Sequence, residues 1–153
     1  MIVNSGRVLL ARLATAWTPT GDPYIELGTS NIAPDLTDND LYAGFERKIC
    51  TISYWNNLLI IDVEFGGVEG NPTPPAQIME AGIFWHNATA ALGTGTLLAR
   101  FLVIPPRAKV AGNIFRIHWT GTYGQGDCSD GISTAGTGKI DIGQIDIDNI
   151  DNP

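Results

Sequence analysis

Four charged residues in or beside apolar segments are the side chains best placed to do chemistry. Glu80 and Arg100 each stand near the middle of an apolar run, and Glu46-Arg47 opens another. Two carboxylates that meet in space can serve as the acid and base of a hydrolase, provided that one has a raised pKa. An arginine accompanies each carboxylate here, and a nearby cation lowers a carboxyl pKa. We therefore predict a buried structural ion-pair network and assign no catalytic residue.

Residues typical of metal and nucleophilic sites are sparse. The two histidines, His86 and His118, stand beside no serine or cysteine nucleophile motif, and Gly-x-Ser-x-Gly is absent. The acidic stretches 35–40 and 146–151 resemble oxygen-ligand clusters for calcium, but neither has the glycine and terminal glutamate of an EF-hand loop. We expect no metal, no cofactor and no enzymatic activity.

The cysteines and tryptophans are predicted to pack in the core or to contact a partner. Two cysteines are too few for a disulfide framework: Cys50, in a strand-like run, is predicted to be a buried thiol, and Cys128 stands in a glycine-rich segment. The reducing cytosol disfavours a bridge between them. Trp119 lies on an alternating segment and is predicted to be core. Trp55, beside an Asn-Asn turn, and Trp85, near a loop, are candidate exposed anchors for a glycan or a neighbouring subunit.

Composition narrows the classes of partner. The chain has 153 residues, which predicts one compact domain, and its net charge is -7. A nucleic-acid binder normally carries a basic stripe, so nucleic acid and anionic membranes are not expected as partners. No apolar run approaches the ~20 residues that span a bilayer. Arg12 interrupts the apolar N-terminal run, so we expect no signal peptide and synthesis in the cytoplasm.

Several short segments with turn signals between them must position these residues. A helix is predicted from Asn4 to about Trp17, and a helical turn over 41–45, capped by residues 37–40. Asn56-Asn57 is suited to a tight hairpin. Strands are predicted over 24–28, 47–54, 58–65, 78–86, 97–105 and 113–123. This pattern predicts a mainly β fold, an antiparallel sandwich or barrel with a short N-terminal helix.

The composition changes after Tyr123. Residues 124–138 form a linker rich in Gly, Ser and Thr, and residues 139–153 repeat Ile-Asp-Ile. We divide the chain into an assembly domain, 1–123, and this linker with an extended C-terminal arm. Isoleucines spaced by two favour a strand that can be added to another subunit, although a frayed acidic terminus is the simpler alternative. The isoleucines of the arm are Ile140, Ile142, Ile145, Ile147 and Ile150.

An ordered series of motifs resembles a family of small phage virion proteins and tail-appendage modules. The motifs are Asn4-Ser5-Gly6 before a helix, Ile25-Glu26-Leu27-Gly28-Thr29, Asp40-Leu41 leading to Glu46-Arg47, Glu80-Ala81-Gly82-Ile83-Phe84, Gly95-Thr96-Leu97-Leu98-Ala99-Arg100, Pro105, Lys109, and the strand ending at Trp119. They run in order from about Asn4 to Tyr123. The resemblance implies an all-β domain and brings no catalytic residues.

The resemblance implies a non-enzymatic part of a virion, best matched by a capsid decoration (cement) protein. Such a protein would bind the major capsid protein or other virion proteins and form a homo-oligomer, with a trimer favoured. We expect it to be made in the host cytoplasm and incorporated into the virion. A tail fibre, baseplate or neck component, or a carbohydrate-binding module, is the alternative.

Overall fold

A computed structural model describes residues 1–13, 18–55, 58–72 and 76–122. The predicted arm with its five isoleucines, its linker and Cys128 lie outside these residues. The described part contains α1 (Asn4–Leu13), β1 (Tyr24–Gly28), β2 (Gly44–Ile49), β3 (Thr51–Trp55), β4 (Leu58–Phe65), β5 (Gln77–Trp85), β6 (Thr96–Ala108) and β7 (Phe115–Thr122). Among these elements, no helix is both long and apolar enough to cross a membrane.

The strands form two antiparallel sheets, which confirms the predicted mainly β fold. Sheet A has the order β2-β1-β5-β6 and sheet B has the order β3-β4-β7. In β7, buried residues alternate with half-buried ones, as expected of a strand with one face on a core. The core cluster takes residues from both sheets, among them Ile25, Leu27, Ile61, Ile83 and Ile117.

The predicted strand over 47–54 is in fact two strands in different sheets. β2 pairs with β1 in sheet A, whereas β3 pairs with β4 in sheet B. The chain changes sheet at Cys50, whose backbone N–H donates to the Pro23 carbonyl at 3.0 Å. A hydrogen bond between residues that are distant in the sequence thus fixes the change of sheet at Cys50. The local sequence pattern does not reveal this contact.

The predicted helical turn over 41–45 is wrong. Gly44 and Phe45 belong to β2, where Gly44 lies opposite Gly28 beyond a register shift in β1. Pairing with β1 provides the backbone hydrogen bonds that a helical turn would otherwise supply. The preceding acidic residues stabilise loop structure instead: Asp40 Oδ1 accepts a hydrogen bond from the Leu41 N–H at 2.9 Å.

The N-terminal residues and α1 cover one edge of sheet A. Ile2 bridges to Ala99 of β6, and the Ser5 hydroxyl donates to the Leu97 carbonyl at 2.8 Å. α1 approaches so closely at Gly6 that an added Cβ would overlap the Leu98 carbonyl oxygen. The helix was predicted to reach Trp17, but residues 14–17 lie outside the described part.

The strand predicted to end at Pro105 continues to Ala108. Its pairing with β5 shifts register between Ile78 and Glu80, and residues 104–108 are all exposed. β6 lies at the edge of sheet A, where the missing N–H of a proline does not break a ladder on both sides. This position explains why Pro105 and Pro106 are accommodated within a strand.

Candidate functional site: a buried ion-pair cluster on sheet A

A row of residues crosses sheet A on the face turned away from the core. Arg47 lies opposite Glu26, Glu26 lies opposite Gly82, and Gly82 lies opposite Arg100. The neighbours of Glu26 in β1, Ile25 and Leu27, belong to the core cluster. Because successive strand residues point to opposite faces, Glu26 points to the outer face.

The outer face of sheet A is nevertheless buried. A second apolar cluster covers it, formed by Val3, Leu41, Phe84, Ala88 and Leu97. Glu80 and Arg100 are both 0 % exposed, and Glu26 is 2 % exposed. We call Glu26, Asp38, Arg47, Glu80 and Arg100 the ion-pair cluster. Removing such charges from water is costly unless each is paired and hydrogen-bonded.

Arg100 is bonded on each side of its guanidinium group. Its Nε donates to Glu80 Oε2 at 2.7 Å, its Nη1 to Asp38 Oδ2 at 3.0 Å, and its Nη2 to the Ile32 carbonyl at 2.7 Å. The same Nη2 also lies 2.7 Å from Glu80 Oε2. The Arg100 Cζ lies 4.6 Å from the centroid of the Tyr42 ring. Arg100 thereby attaches the loop 29–43 to the sheet.

Glu80 completes the same attachment through its second oxygen. Glu80 Oε1 accepts a hydrogen bond from the Ala43 N–H at 2.8 Å. Both carboxylate oxygens are therefore used, one by Arg100 and one by the end of the loop. The pair formed by Glu80 and Arg100 joins neighbouring strands, β5 and β6, and also holds the loop that covers them.

Arg47 makes the corresponding contacts on the other side of Gly82. Its Nε donates to Glu26 Oε2, and its Nη1 donates to the Thr94 carbonyl at 2.7 Å and to Thr94 Oγ1 at 3.0 Å. Its Cζ lies 3.9 Å from the centroid of the Phe84 ring. Its Nη2 is buried with no hydrogen-bond partner in the part of the chain that the structure describes. Arg47 attaches the loop 86–95 to the sheet.

Three glycines make room for this arrangement. A Cβ added at Gly44 would overlap Glu26 Oε1, and one added at Gly28 would come within 2.5 Å of Glu80 Oε1. A Cβ at Gly82 would overlap the Leu41 side chain. The missing side chains leave space for the carboxylates and let Leu41 pack between the two ion pairs.

The electrostatic surroundings of Glu26 differ from those of an ordinary surface acid. Burial raises the pKa of Glu26, and the hydrogen bond from Arg47 opposes that rise. Glu26 and Glu80 each accept a hydrogen bond from an arginine, and Glu80 also accepts one from a backbone N–H. This geometry is suited to fixing strands and loops in place.

The structure divides the four residues predicted to form one network. Glu80 pairs with Arg100, and Arg47 pairs with a residue that was not predicted, Glu26. Glu46 lies apart from both pairs, and its Oε2 accepts a hydrogen bond from the Gly70 N–H at 2.6 Å. Glu46 and Arg47 are adjacent in a strand, so their side chains point to opposite faces and the prediction that they share a network is wrong.

Two members of the cluster were missed at the level of sequence. Glu26 is a single charge inside the apolar strand Tyr24–Gly28, which is the same signal that identified Glu80. Asp38 stands in a polar loop, and no local pattern distinguishes it from Asp35 or Asp40. A single charge inside an apolar strand therefore identifies Glu26 from sequence, but it does not identify Asp38.

The two histidines lie beside hydrogen-bonding oxygen atoms, and the described cysteine, Cys50, is buried. His118 Nδ1 lies 2.6 Å from Asp62 Oδ1 on sheet B, and His86 Nδ1 lies 3.2 Å from the Thr20 hydroxyl. Cys50 is buried, and burial raises the pKa of its thiol to about 12. Among the described residues, no three His, Cys, Asp or Glu side chains are grouped to hold a metal ion.

Of the two tryptophans predicted to be exposed anchors, the structure describes the side chain of Trp85 but not that of Trp55. Trp85 is half-buried, packs against the core cluster and donates its indole N–H to the Gly21 carbonyl at 3.3 Å. Trp85 is thus half-buried rather than exposed, and its role as an anchor stays a prediction. Trp55 ends β3, and its side chain lies outside the described part.

No protein-family model, no curated protein and no solved structure matches this chain.

Proposed function

We propose that the chain is a non-enzymatic virion structural protein, and specifically a capsid decoration protein that binds the shell and neighbouring subunits. The observation that carries the proposal is the ion-pair cluster. Its charges hold together four strands and two loops, so they serve the framework of the domain. A framework held from within keeps its outer surfaces in fixed positions, and a component of a regular shell requires fixed contact surfaces.

The exposed surface offers a second line of support. The loops 66–71 and 109–112 are joined by a hydrogen bond from the Gly112 N–H to the Gly67 carbonyl at 3.1 Å. Each of these loops presents a valine, Val68 at 75 % exposure and Val110 at 57 %. Apolar side chains exposed on hydrogen-bonded loops are suited to the core of a protein interface.

The sequence supports the same assignment. The motifs that resemble phage virion proteins coincide with the structural cluster, since Glu26, Arg47, Glu80 and Arg100 all stand in them. The charged fraction is only 16 %, against ~25 % in typical proteins, which suits a chain with part of its surface in an assembly. The proposed partners are further copies, as a trimer, and the major capsid protein.

Localisation in intact particles tests the proposal. An antibody raised against the purified chain is applied to virions, and the labelled particles are imaged. We expect label distributed over the head. Label confined to the tail would replace decoration by a tail-appendage role, and particles free of the chain would overturn both.

A binding assay tests the decoration role and includes a matched control variant. Purified chain is added to heads that lack it, alongside a Val68→Asp/Val110→Asp variant of unchanged melting temperature. We expect the unsubstituted chain to sediment with the heads. A head that binds neither protein would contradict the decoration role.

A further inference from the structure

The edge of sheet B formed by β7 differs from the other sheet edges. Within the described residues, β7 pairs with β4 and with no other strand. It has 8 residues, Phe115–Thr122, and none is a proline. Among the described residues, no strand pairs with the side of β7 away from β4, and the backbone N–H and C=O groups on such an edge can pair with another strand.

The remaining edges are less suited to accept a strand. β6 is covered by the N-terminal residues in its first half and contains Pro105 and Pro106 in its second. β3 has only 5 residues. β2 is flanked by the loop 66–71, which reaches it through the ion pair of Lys48 with Glu69.

The two faces of β7 differ in chemistry. Phe115, Ile117 and Trp119 are buried in the core cluster. On the opposite face stand Arg116 and His118, which pair with Glu64 and Asp62 of β4. A strand added beside β7 would therefore need apolar side chains on one face, and carboxylates on the other would be attracted to the guanidinium group of Arg116.

The Ile/Asp arm has this pattern. Ile140-Asp141-Ile142 and Ile145-Asp146-Ile147 each alternate an isoleucine face with an aspartate face. The two triplets are out of phase, because Gly143-Gln144 places an odd spacing between them. A single-residue bulge at Gly143 would restore one apolar face, and glycine is common at such bulges.

We propose that the outer edge of β7, on the side away from β4, binds the Ile/Asp arm of a second copy of this chain as an added strand. The length of chain beyond β7 indicates the second copy. A return onto the same β7 as an antiparallel hairpin needs ~2–5 residues, whereas the linker 124–138 can extend for ~50 Å. β7 itself is only ~27 Å long.

The contact between the arm and β7 does not itself require a virion role. Only the use of the resulting oligomer in a virion rests on the proposed function. Each copy would donate one arm and accept another, which is a head-to-tail interface. Such an interface forms a ring when the rotation between subunits closes. A trimer closed by exchanged arms, the number that the resemblance favours, is one such ring.

Disulfide trapping tests the contact in the full-length protein. Two differently tagged copies are co-expressed, both with Cys128→Ser; one carries Thr120→Cys on β7 and the other carries Asp141→Cys, Asp146→Cys or Asp148→Cys. We expect at least one arm position to give an oxidised heterodimer on a non-reducing gel. The matched control places the acceptor cysteine at Ser53 on β3, and we expect at least a fivefold lower yield.

Three results would overturn the inference: no heterodimer at any arm position, equal yields at Thr120 and Ser53, or a cross-link within one chain when both cysteines are in the same copy. Hydrogen exchange provides a second measurement. Ile145→Asp/Ile147→Asp should increase amide exchange in β7 and give monomers, whereas Asp146→Asn/Asp148→Asn should keep the oligomer. Unchanged exchange and oligomer size in the first variant would also overturn the inference.

These measurements use purified protein, so they separate the two proposals. If the arms do not cross-link while the chain is present on heads, arm exchange fails and the decoration role stands. If the arms cross-link while the chain is absent from particles, the virion role fails and the arm contact stands.

Discussion

The outer faces of the two sheets carry similar pairs of charges in opposite environments. On sheet A, Arg100 and Glu80 are fully buried beneath the loop 29–43. On sheet B, Arg116 and Glu64 join β7 to β4 at 2.5 Å with side chains 41 % and 44 % exposed. An exposed ion pair contributes little, because water and salt compete for both charges. The same side-chain chemistry therefore has a structural role on sheet A and a minor one on sheet B.

The difference originates in what covers each sheet. Sheet A has glycines at 28, 44 and 82, which leave room for buried carboxylates and for Leu41. Sheet B places Asp62, Glu64, Arg116 and His118 on a face that no described loop covers as extensively. Burial increases both the strength of an ion pair and the cost of leaving one member alone.

The largest expected effect is the loss of one partner of the buried pair. Glu80→Ala or Arg100→Ala should lower the free energy of unfolding by ~3–5 kcal/mol, because an uncompensated buried charge remains. Chemical denaturation monitored by circular dichroism measures the change. Glu64→Ala and Arg116→Ala are the matched controls, and similar losses on both sheets would break the comparison.

A smaller loss is expected from filling the space over sheet A. Gly82→Ala should cost ~1–3 kcal/mol, since the new methyl group overlaps Leu41 and lies 3.1 Å from Leu97 Cδ1. Gly66→Ala is the control, because nothing lies within 4 Å of a Cβ at that position. Thermal unfolding of both variants tests this, and equal melting temperatures would show that the face is not tightly covered.

The dependence of stability on pH should have opposite signs at Glu26, which is buried, and at Glu69, which is half-buried. Burial raises the pKa of Glu26 above its ordinary value of 4.5, so its contribution to stability is present below pH 4.5 and is lost as pH rises through the raised pKa. The hydrogen bond from Lys48 lowers the pKa of Glu69, so that contribution is present above pH 4.5 and is lost as pH falls.

Denaturation at several pH values from 3 to 8 measures both contributions by difference. The stability of the unsubstituted chain minus that of Glu26→Gln should fall as pH rises, and the corresponding difference for Glu69→Gln should fall as pH decreases. Differences of the same sign for the two glutamates would contradict the assigned effect of burial.

The smallest effect is expected on sheet B itself. A double-mutant cycle of Glu64→Ala and Arg116→Ala should give a coupling free energy of ~0.2–1 kcal/mol. The coupling should decrease further in 1 M NaCl, because salt screens exposed charges. A coupling above ~2 kcal/mol would show that this pair is also structural and would remove the contrast between the sheets.

Local pattern predicted those elements whose form depends on neighbours in the sequence. The strand over 24–28 and the strand over 58–65 have the predicted bounds, and β3 pairs with β4 across Asn56-Asn57, with Trp55 opposite Leu58. The break at Cys50 was not predictable, because it depends on a hydrogen bond to Pro23. The helical turn over 41–45 failed for a similar reason, since pairing with β1 overrides local propensity.

The amino-acid sequence by itself determined the alternation that makes strands, the rarity of charges inside them and the glycines that leave space beside them. Only the tertiary structure decided which carboxylate meets which arginine. Arg47 and Glu26 become partners through the register of β1 on β2, and Asp38 reaches Arg100 through a folded loop. Pairing register brings together residues that are distant along the chain, and the interactions that select it act across the whole sheet.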